Sequence, residues 1–396
     1  MNIAIIADCY LPMRTSASQM LHDLAREYVH IGYQPVVIIP DEFIEASCIV
    51  EELEGVEIIR CRVAPYRQGG KLRRIVWEAL IPLIIIFKLV RKGNYQRSFT
   101  GIIWYSPSIF LWPLVLFLKI VNRCNAYLIL RDIFPDWALD TGLLRRGLTF
   151  NLLKGVAYMQ YWTADVIGVQ SPQSKAYFLA TNKLDTPVTV LHNWLGHRAL
   201  APTDLNLSKS VLAGRKIFVY AGNMGVAQGL PLIVDAMEEL NSEREDIGFL
   251  FIGRGSEVPW LSQAVVDRGL SNTIVMDERA PGEIASIFAQ CQVGLILLDN
   301  RHKTHNIPGK FISYLRAGLP VFACVNKGND LLDLIPLHGV GAAYAGDEHL
   351  EVAALICEMV DDTKHSVDVG RCQRLADDFF STANAARQIL ERLGEL

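Results

Sequence analysis

The strongest constraint on the fold is the alternation of short apolar runs with longer amphipathic segments. The chain opens with an apolar run at residues 3–7, a segment of helical spacing at 17–31 that stops at Gly32, and a second run at 35–39. Further strand-like runs lie at residues 102–105, 126–130, 166–169 and 188–191. Such βαβ alternation predicts a parallel, doubly wound sheet.

The same pattern restarts after a less periodic stretch, residues 192–208, which we interpret as a linker. Beyond it, strand-like runs alternate with helical segments such as 231–240 and 308–317. The sequence therefore predicts an α/β protein with two Rossmann-like, doubly wound domains facing each other across a cleft. We place the first domain at residues 1–195 and the second at residues 205–375.

Basic residues are concentrated in one part of the chain. The whole sequence has 38 Lys and Arg against 42 Asp and Glu, a net charge of −4, which gives no reason to expect nucleic-acid binding. Residues 60–154, however, contain 16 basic and four acidic residues, so this segment is +12 and the remainder is −16. A basic, apolar stretch in an acidic protein indicates a face that meets anionic phosphates or a membrane surface.

Two apolar runs, residues 79–87 and 109–118, lie inside this basic segment. Both fall short of the roughly 20 residues of a spanning helix, so they are either buried helices or parts of a face that dips into the bilayer. Flanking cations and tryptophans suited to the headgroup region favour the membrane face. The residues that carry this hypothesis are Arg73, Arg74, Trp77, Lys88, Arg91, Trp104 and Trp112.

The start of the chain is typical of a first β-strand and not of a signal peptide, because Asp8 interrupts the apolar run and no basic region precedes it. The eight cysteines are scattered without a C-x-x-C pair, as expected in a reducing cytosol. We therefore expect a cytoplasmic protein attached peripherally to the cytoplasmic face of the inner membrane.

The strongest local motif is a glycine-bearing turn between a strand and a helix at residues 216–237. Gly222, Gly225 and Gly229 would let the backbone approach an anion at a helix N-terminus, or would serve only to make a tight turn. Their spacing, G-x-x-G-x-x-x-G, is neither the dinucleotide fingerprint nor the phosphate-loop motif, so NAD is not expected.

A second helix is predicted to begin at Pro308 and Gly309, with Lys310 in its first turn. A helix start at the carboxyl edge of an open sheet faces the usual ligand position, which makes Lys310 a candidate phosphate ligand. A lone lysine at such a position would otherwise be a solvated helix residue.

Charged residues also follow a strand of the first domain. Arg131 and Asp132 are predicted at the mouth of the first sheet, while Asp136 and Asp140 are either helix caps or solvated acids. The chain has no D-x-D motif and no cysteine cluster, so no metal is expected. A leaving diphosphate would then be neutralised by helix dipoles, backbone N–H groups and Lys or Arg side chains.

Seven stretches, in this order, resemble the glycosyltransferase family 4 group of GT-B enzymes, closest to the branch that acts in bacterial surface-polysaccharide assembly. They are IAIIADCYLP, RDIFPDW, ADVIGVQS, VLHNW, YAGNMGVAQGL, FLFIGRGSE and IPGKFISYLRAGLPV. The resemblance implies an N-terminal acceptor domain and a C-terminal donor domain. It also implies a last helix, 376–396, that crosses back to the first domain, together with a retaining, metal-free reaction.

The resemblance further implies roles for single residues. Gly222 to Gly229 would lie under the donor diphosphate, Gly253 and Gly255 near the nucleoside, and Arg279 near the base. Asp132 would lie beside the donor sugar, and Lys310 and Asp132 are the predicted catalytic residues. The donor-binding residues predicted in this way are Gly222, Asn223, Gly225, Gln228, Gly229, Gly253, Gly255, Arg279, Asn306, Pro308, Gly309 and Ser313. Ser16 and Arg131 are assigned to the acceptor side.

Several positions depart from the family pattern, including residues 14–17, which stand where paired glycines are common on the acceptor side. Asn223 and Gln228 stand where an Arg and a Lys are frequent, and His305 and Ser313 stand where paired glutamates are usual. The cationic role at the diphosphate is then expected to fall to Lys310.

The sequence thus predicts a retaining glycosyltransferase of the hexosyl or N-acetylhexosaminyl type. Its donor would be a nucleoside-diphosphate sugar, with UDP preferred, and its acceptor a polyprenyl-diphosphate-linked sugar in lipopolysaccharide O-antigen or capsule synthesis. The alternatives are a nucleotide-sugar 2-epimerase on the same fold, for which no convincing acid/base set is visible, and a non-catalytic membrane-associated binding module.

Overall fold

The computed structural model describes residues 1–13, 15–65, 70–93, 97–140, 142–196, 200–300, 307–361 and 369–395. The chain divides into two compact units. Unit 1 consists of Met1–Gly196 together with Ser381–Leu396, and unit 2 of His197–Phe380. The C-terminal segment that belongs to unit 1 therefore begins at Ser381, whereas the sequence analysis placed its start at residue 376.

Strands and helices alternate through both units. The strands are β1 (Asn2–Ile6), β2 (Gln34–Asp41), β3 (Cys48–Leu53), β4 (Val56–Arg62), β5 (Phe99–Tyr105), β6 (Asn125–Leu130), β7 (Val166–Val169), β8 (Val188–Val190), β9 (Lys216–Ala221), β10 (Ile247–Ile252), β11 (Thr273–Met276), β12 (Val293–Leu297), β13 (Val321–Cys324) and β14 (Gly341–Tyr344). The helices are α1 (Ser16–His30), α2 (Lys71–Lys92), α3 (Trp112–Asn122), α4 (Asp136–Asp140), α5 (Leu148–Thr163), α6 (Pro172–Thr181), α7 (Leu230–Glu243), α8 (Val258–Asp267), α9 (Pro281–Phe288), α10 (Gly309–Arg316), α11 (Leu331–His338), α12 (His349–Asp361), α13 (Val369–Phe380) and α14 (Thr382–Leu393).

Unit 1 is built on an eight-stranded sheet in the order β3-β4-β2-β1-β5-β6-β7-β8. All neighbouring strands are parallel except β3 and β4, which corrects the prediction of a purely parallel sheet. Glu54 and Gly55 join these two strands, both with positive φ, as a two-residue hairpin turn requires. The local turn geometry thus adds an antiparallel edge to the wound sheet.

Both faces of the unit 1 sheet are covered, because successive side chains of a strand point to opposite sides. Ala4 and Ile6 of β1 pack in a core with residues of α2, α3 and α5, whereas Ile3 and Ile5 pack with α1 and α14. Trp104 of β5 is fully buried in the first core. The expectation that its ring meets lipid headgroups is therefore wrong.

The two apolar runs of the basic segment have different environments. Most of the run 109–118 is buried, including Leu114, Val115 and Leu118 of α3, so this run is part of the core. Helix α2 is instead divided lengthwise between a face buried on the sheet and an exposed apolar face. Among the helices of the described residues, none is long and apolar enough to cross a membrane.

Unit 2 contains a six-stranded parallel sheet in the order β11-β10-β9-β12-β13-β14. From β9 the chain moves to β10 on one side and later returns to β12 on the other, so the strand order reverses beside β9. Ligands of open α/β sheets bind outside the carboxyl ends of the strands at such a point. The loops after β9 and β10 and the start of α10 are therefore the elements that define a candidate site.

Candidate active site

The loop after β9 turns sharply into helix α7 and is held by its own side chains. Gly222 follows the strand with a φ of 138°, and Gly229 enters α7 with a φ of 57°. The side-chain oxygen of Gln228 accepts hydrogen bonds from the Gly225 N–H at 2.8 Å and from the Asn223 amide at 3.3 Å. Asn223 and Gln228 therefore brace the loop.

Several backbone amides of this loop are used inside unit 2. The N–H of Gly222 donates to the Ile252 carbonyl at 2.8 Å, and that of Met224 donates to the Arg254 carbonyl at 2.7 Å. The N–H groups of Gly222, Gly225 and Gly229 thus all have acceptors inside unit 2.

Gly253 and Gly255, in the loop after β10, are placed by close backbone contact with the loop after β9. A Cβ on Gly253 would lie 1.9 Å from the Gly222 carbonyl oxygen, and one on Gly255 would lie 2.0 Å from the Met224 carbonyl oxygen. Both glycines also have a φ above 150°. Only glycine permits the two loops to meet in this way.

Lys310 lies in the first turn of α10 and reaches the loop after β9. Its ammonium nitrogen is 4.7 Å from the centroid of the Tyr220 ring, and its Cε would be 2.7 Å from a Cβ on Gly222. Burial lowers the pKa of Lys310 to about 8. The Phe311 N–H donates to the carbonyl of the N-cap Pro308 at 3.0 Å. A desolvated cation beside the leading amides of a helix is suited to bind a phosphate group.

The other predicted donor-binding residues of unit 2 lie at the start of α10 and after β11. Pro308 precedes α10 as its N-cap and Gly309 begins the helix, while the Ser313 hydroxyl donates to the Gly309 carbonyl at 3.2 Å. Arg279 lies beyond β11, paired with Asp204 at 3.1 Å and Glu283 at 3.7 Å. Its guanidinium is therefore held by carboxylates of unit 2. Asn306 and His305 lie outside the described residues.

Arg254 is a cation that the sequence analysis did not select. It lies between Gly253 and Gly255, its side chain is 75% exposed, and it pairs with Glu278 at 3.3 Å. Its backbone carbonyl contacts Met224, so the residue belongs to the same pair of loops as Gly222. The G-R-G sequence was the available signal, since glycines on both sides place the arginine in a tight turn.

In unit 1, Asp132 and Arg131 have different environments although they are adjacent. Arg131 is 7% exposed, donates to the Leu191 and His192 carbonyls, and lies 5.2 Å from the Trp194 ring centroid. The structure thus places Arg131 in the interior of unit 1 and not on an acceptor or membrane surface. Asp132 is half-buried, and burial raises its pKa while the Arg131 charge opposes the shift.

The neighbouring acid Asp136 is neither a helix cap nor a solvated acid. It is buried and accepts from the Lys154 ammonium at 2.7 and 2.6 Å. The Asp140 carboxylate accepts a hydrogen bond from the Tyr177 hydroxyl. Both acids therefore have structural partners, which leaves Asp132 as the candidate at the end of β6.

A small cavity of about 10 Å³ lies beside the switch point of unit 1, where β1 is flanked by β2 and β5. It is lined by Asp8, Pro40, Glu78, Ile81, Ser108 and Leu111. A cavity of this size holds about one water molecule, so a sugar would meet these carboxylates and the hydroxyl only at its opening. No local pattern marks the cavity, because its walls come from segments that are far apart in the chain.

The residues assigned to the acceptor or the membrane are dispersed over unit 1. Ser16 is exposed in the first turn of α1, and Arg73 and Arg91 are exposed near the two ends of α2. Trp77 is partly buried against the core of unit 1. The remaining two have intramolecular partners: Arg74 pairs with Glu78 at 2.7 Å, and the Lys88 ammonium donates to the Ser47 and Arg62 carbonyls.

No group of three His, Cys, Asp or Glu side chains with the arrangement of a metal site is present in the described part of the chain. The polar groups of the unit 2 site include an ammonium, a guanidinium and backbone amides.

Comparison with known proteins agrees with this architecture. The family described as Glycosyl transferases group 1 matches residues 215–362. The chain is 23% identical over 295 residues to a probable glycosyltransferase, WbjE, of Pseudomonas aeruginosa, covering 72% of this chain and 71% of that protein. It is 21% identical over 268 residues to WcaI of Escherichia coli K12, covering 65% of each, a protein whose name assigns it provisionally to colanic acid biosynthesis.

Among solved structures, the chain resembles Anabaena Alr3699/HepE, crystallised in complex with UDP and glucose. The TM-score is 0.68 at 16% identity, and the match covers 100% of both chains. The two parallel-sheet units with this likeness show the GT-B fold. The match to the glycosyl transferases group 1 model and the likeness to two bacterial glycosyltransferases support glycosyltransferase activity.

Proposed function

We propose that the protein transfers a sugar from a UDP-sugar to a lipid-linked saccharide acceptor in bacterial surface-polysaccharide synthesis, with retention of anomeric configuration. The observation that carries the proposal is the unit 2 site, in which Lys310 and the start of α10 face the loop after β9. HepE, with UDP and glucose bound, supports UDP as the donor nucleotide, and the name of WcaI supports a polysaccharide product.

In the proposed reaction, the bond between the sugar C1 and the diphosphate oxygen breaks while a bond from C1 to an acceptor hydroxyl oxygen forms. The acceptor proton passes to the leaving diphosphate on the same face of the sugar, so no carboxylate nucleophile is required. Lys310 and the first-turn amides of α10 stabilise the negative charge that develops on the diphosphate. These groups act without a metal ion.

The acceptor is proposed to bind at the carboxyl edge of the unit 1 sheet. At the opening of the small cavity, Asp8, Glu78 and Ser108 would offer oxygen atoms to sugar hydroxyls, and Asp132 would orient the sugar or the acceptor. A polyprenyl-diphosphate carrier would keep this acceptor at the cytoplasmic surface of the inner membrane. The protein is accordingly proposed to act there as a peripheral enzyme.

The donor is tested by thermal-shift titration with UDP, GDP and NAD⁺ in the presence of EDTA. A ligand at 100 times its Kd stabilises the native state by about 2.7 kcal/mol, which is readily measured. We expect UDP alone to raise the unfolding temperature. Stabilisation by NAD⁺, or the absence of any shift with either diphosphate, would contradict the proposal.

The reaction is tested by supplying a panel of radiolabelled UDP-sugars to the protein with extracted bacterial lipids. Label is expected in the lipid fraction, and NMR of the product should show the anomeric configuration of the donor. A product that remains a free nucleotide sugar with an altered C2 configuration would instead establish a 2-epimerase.

A further inference from the structure

We propose that the outer face of helices α2 and α5 in unit 1 is a docking surface for a bilayer that contains anionic phospholipids. The proposal rests on the proposed function, since it gives a lipid-linked acceptor its surface. Three observations support it: exposed apolar stripes on the two helices, an excess of basic residues, and the position of both helices in one layer of unit 1.

Helix α2 has a continuous exposed apolar stripe. Its members recur at intervals of four and three residues, which places them on one side of a helix. They are Val76, Leu80, Leu83, Phe87 and Val90, with exposures between 41% and 64%. The opposite side, with Ile81, Ile85 and Leu89, is buried on the sheet. The exposed stripe is therefore apolar surface beyond what the core of unit 1 uses.

Helix α5 repeats this arrangement at the same spacing. Its exposed members are Leu148, Leu152, Met159 and Trp162, with Gly155 completing the row. Leu148 is 88% exposed and Trp162 is 57% exposed. Leu153, Ala157 and Tyr161, on the opposite side, are buried in the same core as the inner side of α2. An exposed tryptophan on such a stripe suits the interface between headgroups and acyl chains.

The two stripes belong to one layer of helices. Helix α3 packs against both α2 and α5, and all three contribute to the core on the same face of the sheet. Helix α2 lies between β4 and β5 in the chain, α3 between β5 and β6, and α5 between β6 and β7. Because these strands are parallel, the three helices run in the same direction. Ile120 of α3, 66% exposed, adds apolar surface to the layer.

The basic residues of this helix layer favour a bilayer with anionic headgroups. The sequences of α2, α3 and α5 contain eight Lys or Arg and one acid, Glu78, whereas α1 and α14 on the other face contain three Arg and three acids. Exposed cations mark the ends of the layer: Arg73 and the pair Arg145–Arg146 at one end, and Arg91, Lys92 and Arg123 at the other. Each such cation near an anionic membrane contributes about 1 kcal/mol, or about fivefold in partitioning.

A second copy of the chain fits this surface less well. In a two-fold dimer the same patch is present on both subunits, so the basic ends of one layer would meet the basic ends of the other. Like charges would then be desolvated together, which opposes association. An anionic bilayer instead complements both the apolar stripes and the cations.

Helix α2 also connects this surface to the small cavity at the proposed acceptor site. Glu78 and Ile81 line the cavity, while Leu80 and Leu83 belong to the exposed stripe. An acceptor whose lipid remains in the bilayer would therefore present its sugar beside the same helix that contacts the membrane.

The test is vesicle flotation with the full chain. Vesicles are made of phosphatidylcholine alone or of phosphatidylcholine mixed with phosphatidylglycerol. One variant carries Leu83→Glu and Phe87→Glu in α2, and another carries Leu152→Glu and Trp162→Glu in α5. The matched control carries Val266→Glu and Leu350→Glu, which alter exposed apolar residues of α8 and α12 in unit 2. A charge variant carries Arg91→Glu and Lys92→Glu.

We expect the wild-type protein and the control to float with the mixed vesicles and to bind phosphatidylcholine vesicles more weakly. Each of the α2 and α5 variants should lose at least tenfold in partitioning. The charge variant should lose more binding to the anionic mixed vesicles than to the phosphatidylcholine vesicles. Equal binding by all variants, or no binding by the wild type, would overturn the proposal. Sedimentation velocity that shows a dimer disrupted by the α2 and α5 variants, without vesicle binding, would assign the surface to a second copy and would also overturn it.

The thermal shift with UDP separates this proposal from the proposed function, because the substituted helices lie in unit 1 and the donor site lies in unit 2. Wild-type protein that responds to UDP but does not float overturns the docking surface alone. Protein that floats but does not respond to UDP supports the surface and contradicts the donor.

Discussion

At the residue scale, burial destabilises the charged form of Lys310 and at the same time makes its ammonium suited to bind an anion. Its burial against Tyr220 and the Gly222 backbone lowers the pKa to about 8, so the ammonium is less stable than one in water. A diphosphate at the start of α10 would supply a counter-charge. The binding of donor should therefore be coupled to protonation of this residue.

We accordingly expect the affinity for UDP to fall as the pH rises above about 8. Below that pH the free protein has charged Lys310, whereas above it the anion must bind with uptake of a proton, which weakens binding. Isothermal titration with UDP between about pH 7 and pH 9 measures the effect, since the nucleotide phosphates are already ionised there. A pH-independent Kd in the wild type would contradict this assignment of Lys310.

Replacement of Lys310 by Ala should reduce kcat/KM by about 30- to 1,000-fold, which corresponds to roughly 2–4 kcal/mol of transition-state stabilisation. Lys209→Ala, an exposed lysine of the same unit, is the matched control and should leave kcat/KM unchanged. If both variants retain wild-type kcat/KM with the transferred sugar, Lys310 has no part in the reaction.

At the element scale, the unit 2 site depends on how closely two loops approach each other. Gly253 lets the loop after β10 contact the carbonyl of Gly222, and the same loop presents Arg254. Neither contact involves a long side chain, so the geometry is set by backbone. A single methyl group added at Gly253 is therefore expected to disturb the contact between the two loops.

Gly253→Ala should destabilise unit 2 by about 1–3 kcal/mol and weaken UDP binding, because the new Cβ would lie 1.9 Å from a carbonyl oxygen and the φ of 153° is unfavourable for alanine. Gly155→Ala is the control, since it lies in the interior of α5 with no atom within 4 Å of the new Cβ. It should stabilise the helix by about 0.5–1 kcal/mol. Denaturant unfolding and UDP titration check both, and equal stability of the two variants would argue against the packed loops.

At the scale of the whole molecule, the chain returns to its first unit after completing the second. Helix α14 supplies Ile389 and Leu390 to the core that contains Leu21 and Leu24 of α1. The stability of unit 1 therefore depends on residues that are nearly the last of the chain.

Ile389→Ala should lower the unfolding free energy of unit 1 by about 2–5 kcal/mol, because a fully buried side chain is truncated. The Kd for UDP should not change, since the donor site lies in unit 2. Ile356→Ala in α12 is the matched variant, because Ile356 is equally buried in the core of unit 2. It should lower the free energy of the unfolding transition that UDP stabilises. A loss of UDP affinity on Ile389→Ala would show that the units do not respond independently.

Much of this structure could be predicted from local patterns. The alternation of apolar runs located nearly all the parallel strands, and glycine and proline located the start of α10 at Gly309. Lys310 was identified because it follows that start by one residue. Such features depend on neighbours in the chain, and short-range spacing is sufficient to show them.

The remainder was decided by tertiary structure. The partners of Arg131 are carbonyls about 60 residues away, so its inward orientation has no local signal. The cavity at Asp8 collects segments from four parts of the chain, and the exposed side of α2 is defined only once the opposite side is packed on the sheet. Most strands and helices, and the turn at the start of α10, follow from local spacing and backbone preference. The environment of each charged group was decided only by folding, because burial and hydrogen-bond partners arise from contacts between distant segments.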